Sequence, residues 1–169
     1  MDYRNEEPIS EKIAIAKRLH AALGDELKMD PQVSVRLEEL SVRVKDSSEL
    51  CLSSGLGEAC RICEQDEGGS CCGEGIENRY SPELLLINLL LGVTLPESRK
   101  CSRSCYFLGE VGCTLQVREI LCINYLCGKL QKTFPPEILR RLQEVNGAEM
   151  DLIFGLHDRV KTFVRQKDM

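Results

Sequence analysis

The distribution of cysteine constrains this chain more than any other feature of its sequence. Nine of the ten cysteines fall between Cys60 and Cys127, and neither of the two histidines lies in that stretch. Thiolate sulfur is a preferred ligand of Zn²⁺ and of iron–sulfur clusters. The spacing of Cys60 and Cys63 offers two sulfurs from one turn of backbone. We therefore expect an all-cysteine metal site here, with the rest of the chain folded around it.

Disulfides and scattered core thiols are the alternatives to a metal site. The first seven residues carry no basic stretch followed by an apolar one, so we expect no secretory signal and a cytoplasmic protein. Disulfides rarely persist in the reducing cytoplasm. Core thiols would not concentrate in 68 residues, nor lie beside glycines as Cys71 and Cys72 do. The sequence thus favours metal ligation over both alternatives.

Charge and hydropathy exclude two classes of partner. The net charge is −5, whereas a nucleic-acid-binding domain normally carries a basic patch. The longest apolar run, residues 84–93, is interrupted by Asn88 and is much shorter than the roughly 20 residues that span a bilayer. We expect no nucleic-acid partner and no membrane span, while a protein partner could bind through the helices.

Helical signals precede the cysteine stretch. A helix is predicted over residues 11–23 with Gly24 at its end, and Asp30 caps a second helix that runs from residue 31 to about residue 45. Residues 47–57 are rich in serine and glycine and favour a loop that contains Cys51. These signals predict two amphipathic helices before the metal site.

Further helices are predicted within and after the cysteine stretch. Ser81 caps an apolar helix whose body is residues 84–91, and a short helix is expected over residues 118–126. The last helix begins at Pro135, with a break predicted at the Asn146-Gly147 dipeptide. The predicted fold class is mostly α, with amphipathic helices around an irregular, metal-stapled cysteine-cluster core.

The chain length favours a single domain. Within it we distinguish residues 1–50 as an N-terminal helical segment and residues 51–130 as the cysteine-cluster metal-binding domain. Residues 131–169 form a C-terminal helix that packs on the same domain.

Several short motifs resemble the signature of the YkgJ-type cysteine-cluster family, whose members carry a zinc- or iron-chelating domain. The upstream cysteines Cys60, Cys63, Cys71 and Cys72 follow the order of its first half. The downstream motifs are Cys105-Tyr106-Phe107-Leu108, Gly112-Cys113-Thr114-Leu115, Arg118 four residues before Cys122, and Tyr125 two residues before Cys127. The resemblance covers about residues 60–127. Glu119 stands where the family usually has proline, and the gap between Cys63 and Cys71 is longer than usual.

The resemblance implies metal or iron–sulfur binding without an established reaction. It implies eight metal ligands, namely Cys60, Cys63, Cys71, Cys72, Cys105, Cys113, Cys122 and Cys127. Eight thiolates suit two four-sulfur sites, or one cluster with spare thiols. Cys51 and Cys101 lie outside the family pattern, and we expect neither to bind metal.

Thiolate ligands alone do not distinguish a [4Fe–4S] cluster from Zn²⁺. Adjacent cysteines and glycine-rich amide donors slightly favour iron–sulfur, and hence electron transfer or redox sensing. The alternative is a zinc-stapled structural or protein-interaction module without redox chemistry. We find no catalytic constellation in the sequence and do not expect an enzyme. Both His20 and His157 are expected at the surface.

Overall fold

The computed structural model describes residues 7–63, 72–110 and 112–167, which are mostly helical, as predicted. A 3-10 helix, Ile76–Arg79, precedes the fourth α-helix. Two short strands, β1 (Leu108–Gly109) and β2 (Gly112–Cys113), pair in antiparallel fashion. The α-helices are α1 (Ile9–Met29), α2 (Pro31–Ser53), α3 (Leu56–Ile62), α4 (Pro82–Leu90), α5 (Ile120–Asn124), α6 (Gly128–Thr133) and α7 (Pro136–Lys167).

The predicted start of α2 is confirmed. The Asp30 side chain accepts hydrogen bonds from the backbone N–H groups of Gln32 and Val33, each at 3.0 Å. These bonds satisfy two of the donors that a helix leaves free at its first turn. Arg159 of α7 pairs with the same carboxylate. The hydrogen bond from Arg159 holds the pKa of Asp30 below its ordinary value, so the cap also joins α2 to α7.

The predicted ends of the first two helices are wrong. Gly24 lies buried inside α1, where an added Cβ would meet the His20 ring at 3.2 Å. The glycine therefore serves close packing rather than termination. The predicted loop at residues 47–57 is largely helix, because α2 continues to Ser53 and α3 begins at Leu56. Packing against α7 extends α2, since Ser47 is buried in that interface and tertiary contacts override local propensity.

Helix α4 is the buried apolar helix that the sequence predicts. Ser81 accepts the backbone N–H of Leu84 at 3.2 Å, and Gly92 follows the helix with a φ of +82°. The helix packs against α1 and α7, and α2 packs against α7. No helix in the described ranges is both long and apolar enough to cross a membrane.

Two expectations about α7 are wrong. The helix runs unbroken through Asn146 and Gly147, since the buried Asn146 donates its Nδ2 to the carbonyl of Ile123 at 2.7 Å and fastens α7 to α5. His157 is half-buried instead of lying on the surface, and its Nε2 is 2.9 Å from the Ser81 hydroxyl. Both polar side chains thus hold α7 against neighbouring segments.

The Asn88 side chain connects α4 to the backbone that leads from β2 to α5. Its Oδ1 accepts the N–H groups of Gln116 and Val117 at 3.0 Å each. Its Nδ2 donates to the carbonyls of Val117 at 2.9 Å and Leu84 at 3.1 Å. Asn88 and Val117 are both fully buried. The polar residue that interrupts the apolar run therefore satisfies buried backbone groups that would otherwise lack partners.

We predict that Asn88→Leu destabilises the protein by at least about 2 kcal/mol, because it leaves the Val117 N–H and carbonyl buried without this partner. The measurement is urea unfolding followed by circular dichroism. Asn124→Leu, the same replacement at an exposed position of α5, is the matched control and should stay within about 0.5 kcal/mol. Equal losses in the two variants would contradict the prediction.

Candidate metal centre

The first cysteine pair lies on α3. Gly55, with a φ of +81°, separates α2 from α3 and lets the chain turn between the two helices. Cys60 lies in the last turn of α3 and Cys63 follows its end, so the two are three positions apart along one helical face. Both are half-buried. Cys71, the next predicted ligand, lies outside the described residues.

Backbone pairing brings Cys72 beside Cys105. The N–H of Cys105 donates to the carbonyl of Cys72 at 2.6 Å, and Gly73 forms an antiparallel bridge with Ser104. The N–H of Glu74 extends this pairing to the carbonyl of Arg103 at 3.1 Å. Two cysteines that are 33 positions apart in the sequence are therefore neighbours in the fold.

A buried ion pair stabilises the segments that bring Cys72 and Cys105 together. Glu77, of which only 2% is exposed, pairs with Arg99, and Arg99 also donates to the carbonyl of Ser104. The other carboxylate oxygen of Glu77 accepts the N–H of Gly75 at 2.9 Å. The carboxylate thus joins the 3-10 helix to the turn that precedes Cys105.

Cys113 lies on the short β1–β2 hairpin. Gly112 has a φ of +125°, and an added Cβ on Gly109 would meet the Gly112 carbonyl at 3.1 Å. A side chain at Gly109 would therefore crowd the facing strand, and the positive φ of Gly112 favours glycine there. The N–H of Thr114 donates to the carbonyl of Phe107 at 2.9 Å and continues the pairing beyond Cys113.

Cys122 lies on α5, which begins at the residue that departs from the family signature. Glu119 is the N-cap of α5, and its carboxylate accepts the N–H of Leu121 at 2.7 Å. The carbonyl of Glu119 accepts the N–H of Cys122 at 2.9 Å. The Glu119 side chain therefore caps the start of the helix that carries Cys122.

The buried phenol of Tyr80 lies where three of these segments meet. Only 1% of Tyr80 is exposed, and its ring packs 4.9 Å from that of Phe107. Desolvation raises the pKa of Tyr80 far above its ordinary value, with further contributions from Cys113, Cys122 and Cys105. The phenol also accepts a hydrogen bond from the N–H of Glu119. We call Cys105, Cys113 and Cys122 the Tyr80 thiol group.

Backbone N–H groups point at two sulfurs of this group. Burial raises the pKa of Cys105 to about 11, while the N–H of Phe107 opposes this rise by donating to its sulfur. Cys113 is exposed as a residue on the hairpin, but desolvation around its sulfur raises its pKa, opposed by the N–H of Leu115. In both cases the donor is two residues after the cysteine. Such bonds favour the thiolate, the form that binds metal.

A second set of cysteines surrounds a small apolar cluster. Leu56, Leu130 and Leu142 form its buried centre, and Cys51, Cys60 and Cys127 pack against it. We call these three cysteines the Leu56 thiol group. Cys51 was predicted to lie in a loop, but it belongs to α2. Burial raises its pKa, although Arg118 partly offsets this effect.

Arg118 is shared between the two groups. Desolvation raises the pKa values of Cys51 in the Leu56 group and of Cys113 in the Tyr80 group. The positive charge of Arg118 offsets part of the rise at both cysteines. Arg118 is half-buried just before α5. One guanidinium therefore offers positive charge to thiols from both groups.

Cys101, which we do not expect to bind metal, has a different environment. It is exposed, and hydrogen bonding by the Ser104 side chain and by the N–H of Arg103 lowers its pKa. The turn that follows Cys101 therefore stabilises a solvent-accessible thiolate.

The cysteine thiols have the chemistry that a soft metal prefers. Their positions in the structure fit a metal site less well. Thiols from separate segments gather in two neighbourhoods, and N–H donors face two of the sulfurs. Among the described residues, however, no three His, Cys, Asp or Glu side chains come together closely enough to hold a metal ion. A complete ligand shell thus requires Cys71 or a rearrangement of the loops.

Sequence reasoning missed Tyr80 and Glu77. No motif includes either residue, and only the position of Tyr80 directly before the Ser81 cap hinted at a junction. Comparison of the chain with protein-family models, curated proteins and solved structures gave no match. Membership of the YkgJ-type family therefore stays a prediction based on the cysteine motifs.

We predict that iodoacetamide modifies Cys101 faster than Cys105 in chelator-treated protein at neutral pH. Cys101 is exposed with a lowered pKa, whereas burial raises the pKa of Cys105 to about 11. Peptide mass spectrometry over time measures both rates. Ser104→Ala should slow the modification of Cys101 by removing a hydrogen bond to its sulfur. Equal rates at the two cysteines would contradict the assignment.

Proposed function

We propose that the protein binds a metal through the thiolates of its cysteine-rich stretch, either as an iron–sulfur cluster or as Zn²⁺. The observation that carries the proposal is that Cys105, Cys113 and Cys122, from three separate segments, all act electrostatically on the one buried Tyr80 phenol. Two of these sulfurs also accept backbone N–H groups, which unrelated core thiols would not require.

The eight proposed ligands are those of the family signature, and the Tyr80 thiol group supplies three of them. Arg118 offsets part of the negative charge that several thiolates around one metal would carry. A bound iron–sulfur cluster would supply one-electron redox chemistry, whereas Zn²⁺ would supply a redox-inert cross-link. Electron transfer or redox sensing is the function that we propose for the first case.

Metal binding in this proposal is coupled to a local rearrangement. No three donors converge within the described residues, so a metal would draw the cysteine-bearing turns together. Structural metal sites commonly contribute their binding free energy to folding in this way. Helices α1, α2, α4 and α7 contribute most of the main apolar core, so we expect them to stay folded without the metal.

The second candidate is a zinc-stapled module that binds a protein, and an exposed apolar surface supports it. Ile120, Leu121 and Tyr125, on and next to α5, are 37%, 39% and 50% exposed. Residues 99–141 contain eight basic and three acidic side chains, a net charge of +5 in a chain of −5. A basic stretch with exposed apolar residues suits a partner with acidic and apolar residues.

Absorption and sulfide analysis of anaerobically purified protein distinguish the two candidates. A broad visible absorption with acid-labile sulfide indicates an iron–sulfur cluster, and colourless protein with one or two Zn²⁺ per chain indicates the module. Folded protein with neither metal would overturn both.

We predict that Cys113→Ser and Cys122→Ser lose most of their bound metal, because loss of one ligand opens a four-sulfur site to water. Cys101→Ser is the matched control, since this exposed cysteine lies outside the signature, and it should keep its metal. Metal per chain is measured for the variants purified in parallel. Retention by Cys122→Ser together with loss by Cys101→Ser would show that the ligand assignment is wrong.

We also predict that chelation increases amide exchange in residues 72–80 and 112–127 but leaves α1 and α7 unchanged. Both helices bury many side chains in the main apolar core, whereas the cysteine-bearing turns contribute only a few residues to it and would depend on the metal. Hydrogen–deuterium exchange with and without chelator measures the difference. Identical protection of the turns under both conditions would argue against a structural metal.

A further inference from the structure

The interface between α2 and α7 contains a buried carboxyl group that the metal proposal does not use. Glu149 of α7 is fully buried, and its Oε2 is hydrogen-bonded to the hydroxyl of Ser47 on α2. Its Oε1 is also buried and has no hydrogen-bond partner among the described residues. An ionised carboxylate needs hydrogen-bond donors at both oxygens, so a half-satisfied, fully buried one is costly.

The hydrogen bonds of Ser47 indicate which group carries the proton. The Ser47 hydroxyl is 3.1 Å from the carbonyl of Val44 and is also bonded to Glu149. A hydroxyl has one proton to donate, and a carbonyl can only accept. When Ser47 donates to Val44, the proton in the second bond comes from the carboxyl group of Glu149.

The charged surroundings of Glu149 are sparse. Desolvation raises the pKa of Glu149, and the hydrogen bond with Ser47 and the charge of Arg118 oppose this rise only in part. Helix α5 carries no charged side chain, and its titratable group is Cys122. On α2, Cys51 follows Ser47 by one turn. The nearest charged residues along α2 and α7 are exposed, namely Lys45, Asp46, Glu49, Glu144 and Asp151.

We propose that Glu149 is a protonated carboxylic acid at neutral pH and that its proton joins α7 to α2 through Ser47. This proton-binding site makes the α2–α7 interface sensitive to pH, because loss of the proton leaves a charge in an apolar contact. The inference stands whether or not the protein binds metal.

The sign of the pH dependence follows from linkage. The pKa of Glu149 is raised in the folded protein, so the folded state holds this proton to higher pH than the unfolded state does. The bound proton therefore contributes its full stabilisation when the pH is below the ordinary pKa of glutamate. This stabilisation is lost as the pH rises toward the pKa of Glu149 in the folded protein. Glutamine at this position keeps a donor for Ser47 and cannot ionise.

The test compares Glu149→Gln with the unchanged protein in urea unfolding between about pH 5 and pH 8. We expect the urea midpoint of the variant to exceed that of the unchanged protein by a margin that grows with pH. Glu144→Gln, an exposed glutamate on the same helix, is the matched control and should show no growing margin. A margin independent of pH, or a lower midpoint for Glu149→Gln at pH 8, would overturn the proposal.

A second measurement is independent of stability. Infrared spectra of the folded protein at neutral pH should contain the carbonyl band of a protonated carboxylic acid, and Glu149→Gln should lack this band. Absence of the band from the unchanged protein would mean that Arg118 holds Glu149 as a carboxylate, contrary to the proposal.

Discussion

The side chain of Asn88 holds the cysteine-bearing loops to the helical core. Its amide satisfies both backbone groups of the buried Val117, in the segment that connects the β1–β2 hairpin to α5. Cys113 precedes this segment and Cys122 follows it. The positions of both cysteines relative to α4 therefore depend on hydrogen bonds made within an apolar environment, where losing them costs most.

Burial and hydrogen bonding act in opposite directions on the cysteines. Desolvation raises the pKa values of Cys51, Cys105 and Cys113 and favours neutral thiols. Backbone N–H groups at Cys105 and Cys113, and the charge of Arg118 at Cys51 and Cys113, favour thiolates. A bound cation would shift this balance decisively, because metal ligation deprotonates a thiol outright. The same low dielectric that disfavours isolated thiolates keeps Glu149 protonated in our proposal.

Local signals predicted the fold class and two helix starts well. Asp30 and Ser81 both cap helices as expected, because a side-chain oxygen before an apolar segment acts over two or three residues. The same reasoning failed for Gly24, for residues 47–57 and for Asn146-Gly147, where the helix continues. For residues 47–57 and Asn146-Gly147, a contact with a distant segment, α7 or Ile123, outweighs a weak local preference, whereas Gly24 is packed close to His20 one turn earlier in the same helix.

By itself the sequence determined that the chain is mostly helical, that its thiols are concentrated in one stretch, and where caps begin α2 and α4. These properties depend on residue type and on short spacings. Tertiary structure alone decided that Cys72 lies beside Cys105, that Cys51 joins Cys60 and Cys127 around Leu56, and that Tyr80 and Glu149 are buried. The physical reason is that these contacts join distant segments through burial and backbone pairing, and neither leaves a short-range pattern in the sequence.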